Sequence, residues 1–149
     1  MVRVSVLDSL LRVKKSFFSK LGLSPGTDPQ KVVATIENSS KHERSRGYGY
    51  LFGYPDYAVN FFISADLIEE KTNEIEPRDF FAIPVYTGKE GHFTYAYPKG
   101  HRPTADIDSV IYYRSEKILD NYRKIRKDYT NPDGTIKARQ LLIEYRDAK

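Results

Sequence analysis

The chain has 149 residues, a formal net charge of +4 at pH 7 and no cysteine. This length suits one domain with a continuous core, and the lack of cysteine excludes disulfide bonds, zinc-thiolate sites and thiol catalysis. No stretch approaches the roughly 18 apolar residues that a membrane-spanning helix needs. We therefore expect a soluble, cytoplasmic protein with a single globular domain over 1–149 and no membrane partner.

Helical patterns dominate the first part of the chain. Apolar residues recur at three- and four-residue spacing over 4–21, which predicts an amphipathic helix that ends at Gly22. Asp28 followed by Pro29 predicts the start of a second helix, because the carboxylate can cap free amides and proline loses no hydrogen bond there. We expect this helix to weaken near Asn38, since Asn and Ser side chains compete for backbone hydrogen bonds.

The stretch from Gly47 to Pro55 contains three glycines and four large aromatic rings. Its aromatic residues alternate with smaller ones, which predicts a short strand over 47–53 with one aromatic face. Gly49 and Gly53 are expected where a side chain would collide with packed structure or distort the backbone. This stretch is therefore predicted to be a crowded structural crossing at the centre of the fold.

The middle of the chain changes from a helical to an extended pattern. Pro55 and Asp56 begin a segment with a core-facing apolar side, which predicts a helix over 55–71. The period then becomes two, and the turn-forming residues 87–91 predict a β-hairpin from strands 79–86 and 92–97. Pro84 cannot donate to a ladder, so the first of these strands is expected at an edge or a bulge.

The last part of the chain returns to helical patterns. Thr104 or Asp106 can cap a long helix with an isoleucine stripe, and residues 131–134 form a predicted turn. Residues 135–146 predict a terminal helix, with a strand as the alternative. Together these elements predict an α+β domain in which four or five helices pack on a small, mainly antiparallel sheet.

One segment of the long helix accounts for the net charge. Between 114 and 127 there are six basic and two acidic residues, while the rest of the chain is neutral. At about 100° per residue the cations spread around the exposed arc of a helix, which fits either a solvated face or a surface for an anionic partner. The predicted basic surface consists of Arg114, Lys117, Arg123, Lys124, Arg126 and Lys127.

Tyrosines are interleaved with basic residues in two other segments, 44–54 and 95–102. A single-stranded nucleic acid would need such rings to stack its bases and such cations to hold its phosphates. A half-buried sheet would have the same composition. The candidate ligand-binding residues are Arg44, Arg46, Tyr48, Tyr50, Tyr54, Tyr95, Tyr97, Lys99, His101 and Arg102.

No catalytic group, cofactor site or metal site is predicted. None of the three histidines has a partner at metal-ligand spacing, and the acidic pair Glu69 and Glu70 belongs to a solvated run. There is no phosphate loop or dinucleotide fingerprint. A hydrolase in which His42 or His101 acts as a base for a serine such as Ser45 or Ser64 is one alternative.

Our prediction from the sequence is a binding domain without enzymatic activity. The moderately basic charge favours an anionic small molecule or an acidic protein as its partner. Single-stranded nucleic acid is a possible but not favoured partner, because no nucleic-acid-binding signature accompanies the tyrosines. The identity of the ligand and the oligomeric state are left open.

Overall fold

The computed structural model describes residues 3–86 and 91–147, with the backbone alone at 91, 92 and 145–147. These residues form seven α-helices and one two-stranded antiparallel sheet, so the α+β class is confirmed but the helices outnumber the four or five expected. The elements are α1 (Val4–Val13), α2 (Lys15–Phe18), a 3-10 turn (Ser19–Leu21), α3 (Pro29–Glu37), α4 (Lys41–Leu51), α5 (Asp56–Thr72), β1 (Arg78–Val85), β2 (Gly91–Pro98), a π-helical turn (Ala105–Ser109), α6 (Val110–Ile125), a 3-10 turn (Arg126–Tyr129) and α7 (Ala138–Asp147).

The chain divides into two compact units. The N-terminal unit comprises 2–81 and 95–102, and the C-terminal unit comprises 82–94 and 103–149. The hairpin of β1 and β2 therefore supplies residues to both units, its base to the first and its outer part to the second.

The N-terminal unit contains a continuous apolar core. The helix predicted over 4–21 is divided at Lys14, whose φ of −100° and ψ of 30° leave the helical region. Gly22 ends this helical segment as predicted, with a φ of 71°, and Asp28 caps α3 by accepting hydrogen bonds from two backbone amides. The core residues are Leu7, Leu11, Phe18, Leu23, Val32, Ile36, Tyr50 and Val59.

The predicted strand over 47–53 is wrong, because these residues belong to α4 and to the turn that ends it. The start of α4 is fixed by Glu43, whose carboxylate accepts hydrogen bonds from the backbone N–H of Ser40 at 3.3 Å and from its hydroxyl at 2.7 Å. The Ser40 side chain in turn accepts from the backbone N–H of Glu43, which completes a capping box and satisfies amides that would otherwise lack a partner. The spacing of Ser40 and Glu43 is therefore a local helix signal.

The end of α4 is fixed by Gly53, which has a φ of 77°. Its N–H donates to the carbonyl of Tyr50 at 3.0 Å, and the N–H of Tyr54 donates to the carbonyl of Gly49 at 3.0 Å. This pair of bonds is the Schellman motif, in which a residue with positive φ satisfies the last carbonyls of a helix. Gly53 therefore ends a helix instead of interrupting a strand.

The other two glycines of α4 allow close packing on two sides. A Cβ added to Gly47 would lie 2.8 Å from Cγ2 of Ile36 in α3, and one added to Gly49 would lie 2.8 Å from Cγ2 of Val59 in α5. Residues two apart in a helix point about 200° away from each other. The two glycines therefore let α4 pack between α3 and α5, which confirms the predicted crowding at Gly49.

The remaining predictions for the middle of the chain are confirmed. The helix predicted over 55–71 is α5, and the predicted hairpin is formed by β1 and β2. Of its predicted turn, residues 87–90 lie outside the described part of the chain. Pro84 lies in β1, where it is tolerated because each strand of a two-stranded sheet has a free edge.

The C-terminal unit begins its long helix with a buried carboxylate. Asp108 is fully buried within the π-helical turn before α6, and it accepts hydrogen bonds from the backbone N–H and the hydroxyl of Thr104. Thr104, one of the two predicted caps, occupies the N-cap position, but its side chain makes no capping bond to a backbone amide. In an ordinary helix the side chain of the third residue accepts a hydrogen bond from the backbone N–H of the N-cap residue. A π-helical turn contains one more residue, so here the fourth residue after Thr104, Asp108, takes this role.

We expect Asp108→Ala to lower the free energy of unfolding by about 1 kcal/mol, the usual cost of losing a helix cap. Asp106→Ala is the matched control, because Asp106 is exposed in the same turn. Urea denaturation followed by circular dichroism measures both variants. Equal stability of the two would contradict the capping role of Asp108.

At the end of the C-terminal unit, the structure decides between the helix and the strand predicted for residues 135–146. Residues 138–147 form α7, whereas Ile136 pairs with Thr130 in an isolated antiparallel bridge. The predicted turn between them is confirmed by the N–H of Gly134, which donates to the carbonyl of Asn131 at 2.9 Å. Among the described residues of this unit only Ile83, Asp108 and Leu119 are buried, and most of its other apolar residues are half-buried or exposed.

Candidate functional site

A groove of about 340 Å³ lies in the C-terminal unit between the end of β1 and α6. The α6 residues that line it are Ser115, Ile118, Leu119 and Tyr122, and their spacing from Ser115 of three, four and seven positions places them on one face of the helix. Its floor includes Leu119, which is buried, and its walls include Tyr86, which is 40% exposed. The lining residues are Pro84, Val85, Tyr86, Ser115, Ile118, Leu119 and Tyr122.

A second depression, of about 470 Å³, lies along 137–144. Its lining comes from α7 and from Lys137, the residue before it. A binding site normally needs polar and apolar groups that converge from more than one element. The groove beside β1 and α6 therefore has the better geometry for a ligand.

Two tyrosines that line this groove contact each other, and an arginine outside the lining packs on one of them. The rings of Tyr86 and Tyr122 meet edge to face with their centroids 5.1 Å apart. The guanidinium carbon of Arg126 lies 5.0 Å from the centroid of the Tyr86 ring. This cation–π contact holds the Arg126 side chain in one orientation beside the groove.

The guanidinium of Arg126 has no carboxylate partner among the residues that the structure describes. Its Nε is buried and makes no hydrogen bond. A buried, unpaired donor on a charged group is costly, because the group has lost water without gaining another partner. The terminal nitrogens of the Arg126 guanidinium are not among the buried unpaired atoms, and they can donate hydrogen bonds to an anionic oxygen of a ligand.

The other cations of the predicted basic surface differ from Arg126. Arg123 lies 3.5 Å from Asp120, and this pair is exposed to solvent. Exposed pairs of this kind contribute little. The remaining members, all exposed, are Arg114, Lys117, Lys124 and Lys127.

The candidate residues in α4 are largely engaged in packing within the N-terminal unit. Tyr50 is only 8% exposed and belongs to the core. Arg46 donates to Asn60 at 2.6 Å and to the hydroxyl of Tyr50 at 3.3 Å. Tyr48 donates to Glu37, which raises the pKa of the Tyr48 hydroxyl. Arg44 alone among the α4 candidates is exposed.

The candidate residues near the hairpin form an aromatic cluster in the same unit. Tyr95 is 4% exposed, and its ring centroid lies 5.4 Å from that of Tyr54. Burial raises the pKa of the Tyr54 hydroxyl. The His101 ring centroid lies 4.7 Å from that of Tyr57 and 5.8 Å from that of Tyr97. The structure thus gathers these rings, while Lys99 and Arg102 are exposed.

A further group, which the sequence did not reveal, joins α4 to α5 in the N-terminal unit. Nε2 of His42 lies 3.1 Å from Oδ2 of Asp66 and 3.5 Å from Oε1 of Glu70. We call these three residues the carboxylate-histidine cluster. The expectation that no histidine has a partner at ligand distance is wrong for His42, because the partners come from a different helix.

Lys41 also contacts this cluster. Its Nζ lies 2.8 Å from Oδ1 of Asp66 and 2.8 Å from Oε1 of Glu70. The hydrogen bond from Lys41 is the main cause that lowers the pKa of the Asp66 carboxyl, and the two carboxylates in turn raise the pKa of Lys41. The Asp66 carboxylate is therefore ionised at neutral pH.

No helix in the described part of the chain combines the length and the apolar character needed to cross a membrane. Comparisons with protein-family models, with curated protein sequences and with solved structures found no match for this chain.

Proposed function

We propose that this chain is a binding module that holds a short acidic segment of a protein partner in the groove beside β1 and α6. The observation that carries the proposal is Arg126, which is fixed on the Tyr86 ring with a buried, unpaired Nε. A guanidinium that is already oriented can bind a carboxylate through two parallel hydrogen bonds at little further entropic cost. The groove therefore offers a defined place for a glutamate or aspartate side chain.

Apolar contact supplies the second part of the recognition. Tyr86 and Ile118 line the groove and expose 40% and 43% of their surface. An apolar side chain of the partner that covers them would gain about 25 cal/mol for each Å² removed from water. The partner segment is thus expected to carry an apolar residue next to its acidic ones.

Two of the alternatives receive less support. Nucleic-acid bases would need free rings, but the predicted stacking residues Tyr50 and Tyr95 are buried in contacts with other rings. A hydrolase would need a serine beside a histidine, but the Ser64 hydroxyl donates to the carbonyl of Phe61 at 2.9 Å. A protein partner uses both the groove and the adjacent cation.

The test measures the binding of two labelled peptides of about ten residues by fluorescence anisotropy. One peptide has two leucines among glutamates, and the other has lysines in place of the glutamates. We expect the glutamate peptide to bind and the lysine peptide not to bind. Arg126→Gln should weaken binding about tenfold, which corresponds to the loss of one hydrogen bond to a charged group.

Arg123→Gln is the matched control, because it removes the same charge from an exposed position of the same helix. We expect it to change the affinity less than about twofold. Ser115→Trp should abolish binding by filling the groove. Equal losses in the two arginine variants, or equal binding of both peptides, would contradict the proposal. Tighter binding of inorganic phosphate or of a labelled single-stranded oligonucleotide would favour the other anionic ligands.

A further inference from the structure

The carboxylate-histidine cluster places three potential metal ligands at one point between α4 and α5. Asp66 and Glu70 are four residues apart in α5, so their side chains lie one turn apart on the same face. His42 faces them from the first turn of α4. One ligand atom from each residue lies within 4.8 Å of the other two.

The two distances from His42 to the carboxylates are close to those between ligand atoms around a tetrahedral metal ion. Zinc binds imidazole nitrogen and carboxylate oxygen at about 2.0 to 2.2 Å, so its ligand atoms are about 3.4 Å apart at tetrahedral angles. The contacts of His42 Nε2 with Asp66 Oδ2 and Glu70 Oε1 are 3.1 and 3.5 Å. The third pair of ligand atoms, from Asp66 and Glu70, lies within 4.8 Å, so adjustment of their rotamers would let the three side chains share one ion.

A second observation concerns the hydrogen bonding of the same atoms. Nε2 of His42 and Oδ2 of Asp66 are both buried and form an ion pair at 3.1 Å, but the pair is poorly aligned for a hydrogen bond. Buried polar atoms normally form hydrogen bonds, and a shared metal ion would satisfy both atoms. Both atoms are available as metal ligands.

We propose that His42, Asp66 and Glu70 bind a divalent transition-metal ion, with zinc as the preferred metal. An imidazole ligand favours zinc over calcium and magnesium, which take oxygen ligands. Three protein ligands leave the fourth tetrahedral position to water or to a further ligand. The ion would join the start of α4 to the last turns of α5.

Lys41 competes with the metal ion for the carboxylates of Asp66 and Glu70. Its ammonium group bonds Oδ1 of Asp66, which leaves Oδ2 for the metal, but it shares Oε1 of Glu70 with His42. The Lys41 side chain is 54% exposed, so its ammonium group can move into water when the ion binds. Removal of this ammonium group should therefore strengthen metal binding.

The experiment titrates zinc into the metal-free, untagged full chain by calorimetry and follows the thermal midpoint. We expect one zinc ion per chain and a midpoint that rises with zinc concentration, because the ion binds the folded state preferentially. His42→Ala and Glu70→Gln should each weaken binding at least tenfold. Glu70 is exposed, so its variant remains informative even if His42→Ala does not fold.

Lys41→Met separates metal binding from a purely structural ion pair. If the cluster only ties two helices together, this variant loses stability and gains no zinc affinity. We expect its zinc affinity to rise several-fold. His101→Ala is the control, because His101 packs among rings and should bind no zinc. No binding by the parent chain, binding that survives in Glu70→Gln, or binding lost in His101→Ala would overturn the proposal.

Discussion

Gly49→Val should lower the free energy of unfolding by about 2 to 3 kcal/mol, the upper range for overpacking in a core. The first added carbon alone would lie 2.8 Å from Cγ2 of Val59, well inside the normal contact of about 3.5 to 4.0 Å. Val59 is 4% exposed, and its branched side chain is rigid within a helix. The neighbouring side chain therefore cannot move aside.

A double-variant cycle tests this mechanism. In the parent chain Gly49→Ala should destabilise, because the clash exceeds the helix propensity of alanine over glycine, about 1 kcal/mol. In a Val59→Ala background the clash is absent, so the same change should stabilise by up to about 1 kcal/mol. Urea denaturation of the four proteins gives the coupling energy. The same sign of effect in both backgrounds would refute the close contact.

Gly53→Val should cost about 2 to 3 kcal/mol for a different reason. The φ of Gly53 is 77°, and a Cβ placed there meets nothing within 4 Å. The cost is therefore conformational, since a β-branched residue is strained at positive φ. Thermal and urea denaturation measure it against the parent chain.

Asparagine and alanine distinguish the two mechanisms. At Gly53, asparagine should be better tolerated than alanine, because asparagine more readily adopts the left-handed conformation. At Gly49 the order should reverse, because the smaller alanine clashes less with Val59. The same order of stability at both positions would show that one of the two mechanisms is wrong.

Local signals allowed the sequence to predict several elements correctly. Asp28 and Pro29 mark the start of α3, Gly22 marks the end of the first helical segment, and the alternation after Asp79 marks the hairpin. Each of these signals acts within a few residues, so a single sequence is sufficient to identify it. The α+β class followed from these elements.

The stretch over 47–53 was predicted as a strand because its aromatic residues alternate with small ones. The sequence also contains the local signals of a helix there, namely the capping spacing of Ser40 and Glu43 and the glycine at 53. The alternation predicts the wrong element because Gly47 and Gly49 are required for close packing of α4 against α3 and α5. They do not form the small-residue face of a strand. These contacts are long-range and cannot be identified from the spacing alone.

The candidate sites depend on the tertiary structure more than the secondary-structure elements do. The sequence identified Arg126 as one of six similar cations, and only its contact with Tyr86 and its buried Nε distinguish it. Tyr50 and Tyr95 were grouped with the binding residues, but the packing of the N-terminal unit buries both rings. Composition specifies which side chains are present, whereas burial decides which of them can contact a ligand.

His42 is the clearest example of a residue whose contacts the sequence alone does not predict. By itself the sequence placed Asp66 and Glu70 four residues apart in a predicted helix over 55–71, so that they lie one helical turn apart, but it did not predict the helix that carries His42. Only the packing of α4 against α5 brought Nε2 of His42 to within 3.1 Å of Asp66. The physical reason is that helix periodicity sets the face on which a side chain lies, while the close approach permitted by Gly49 sets which faces meet.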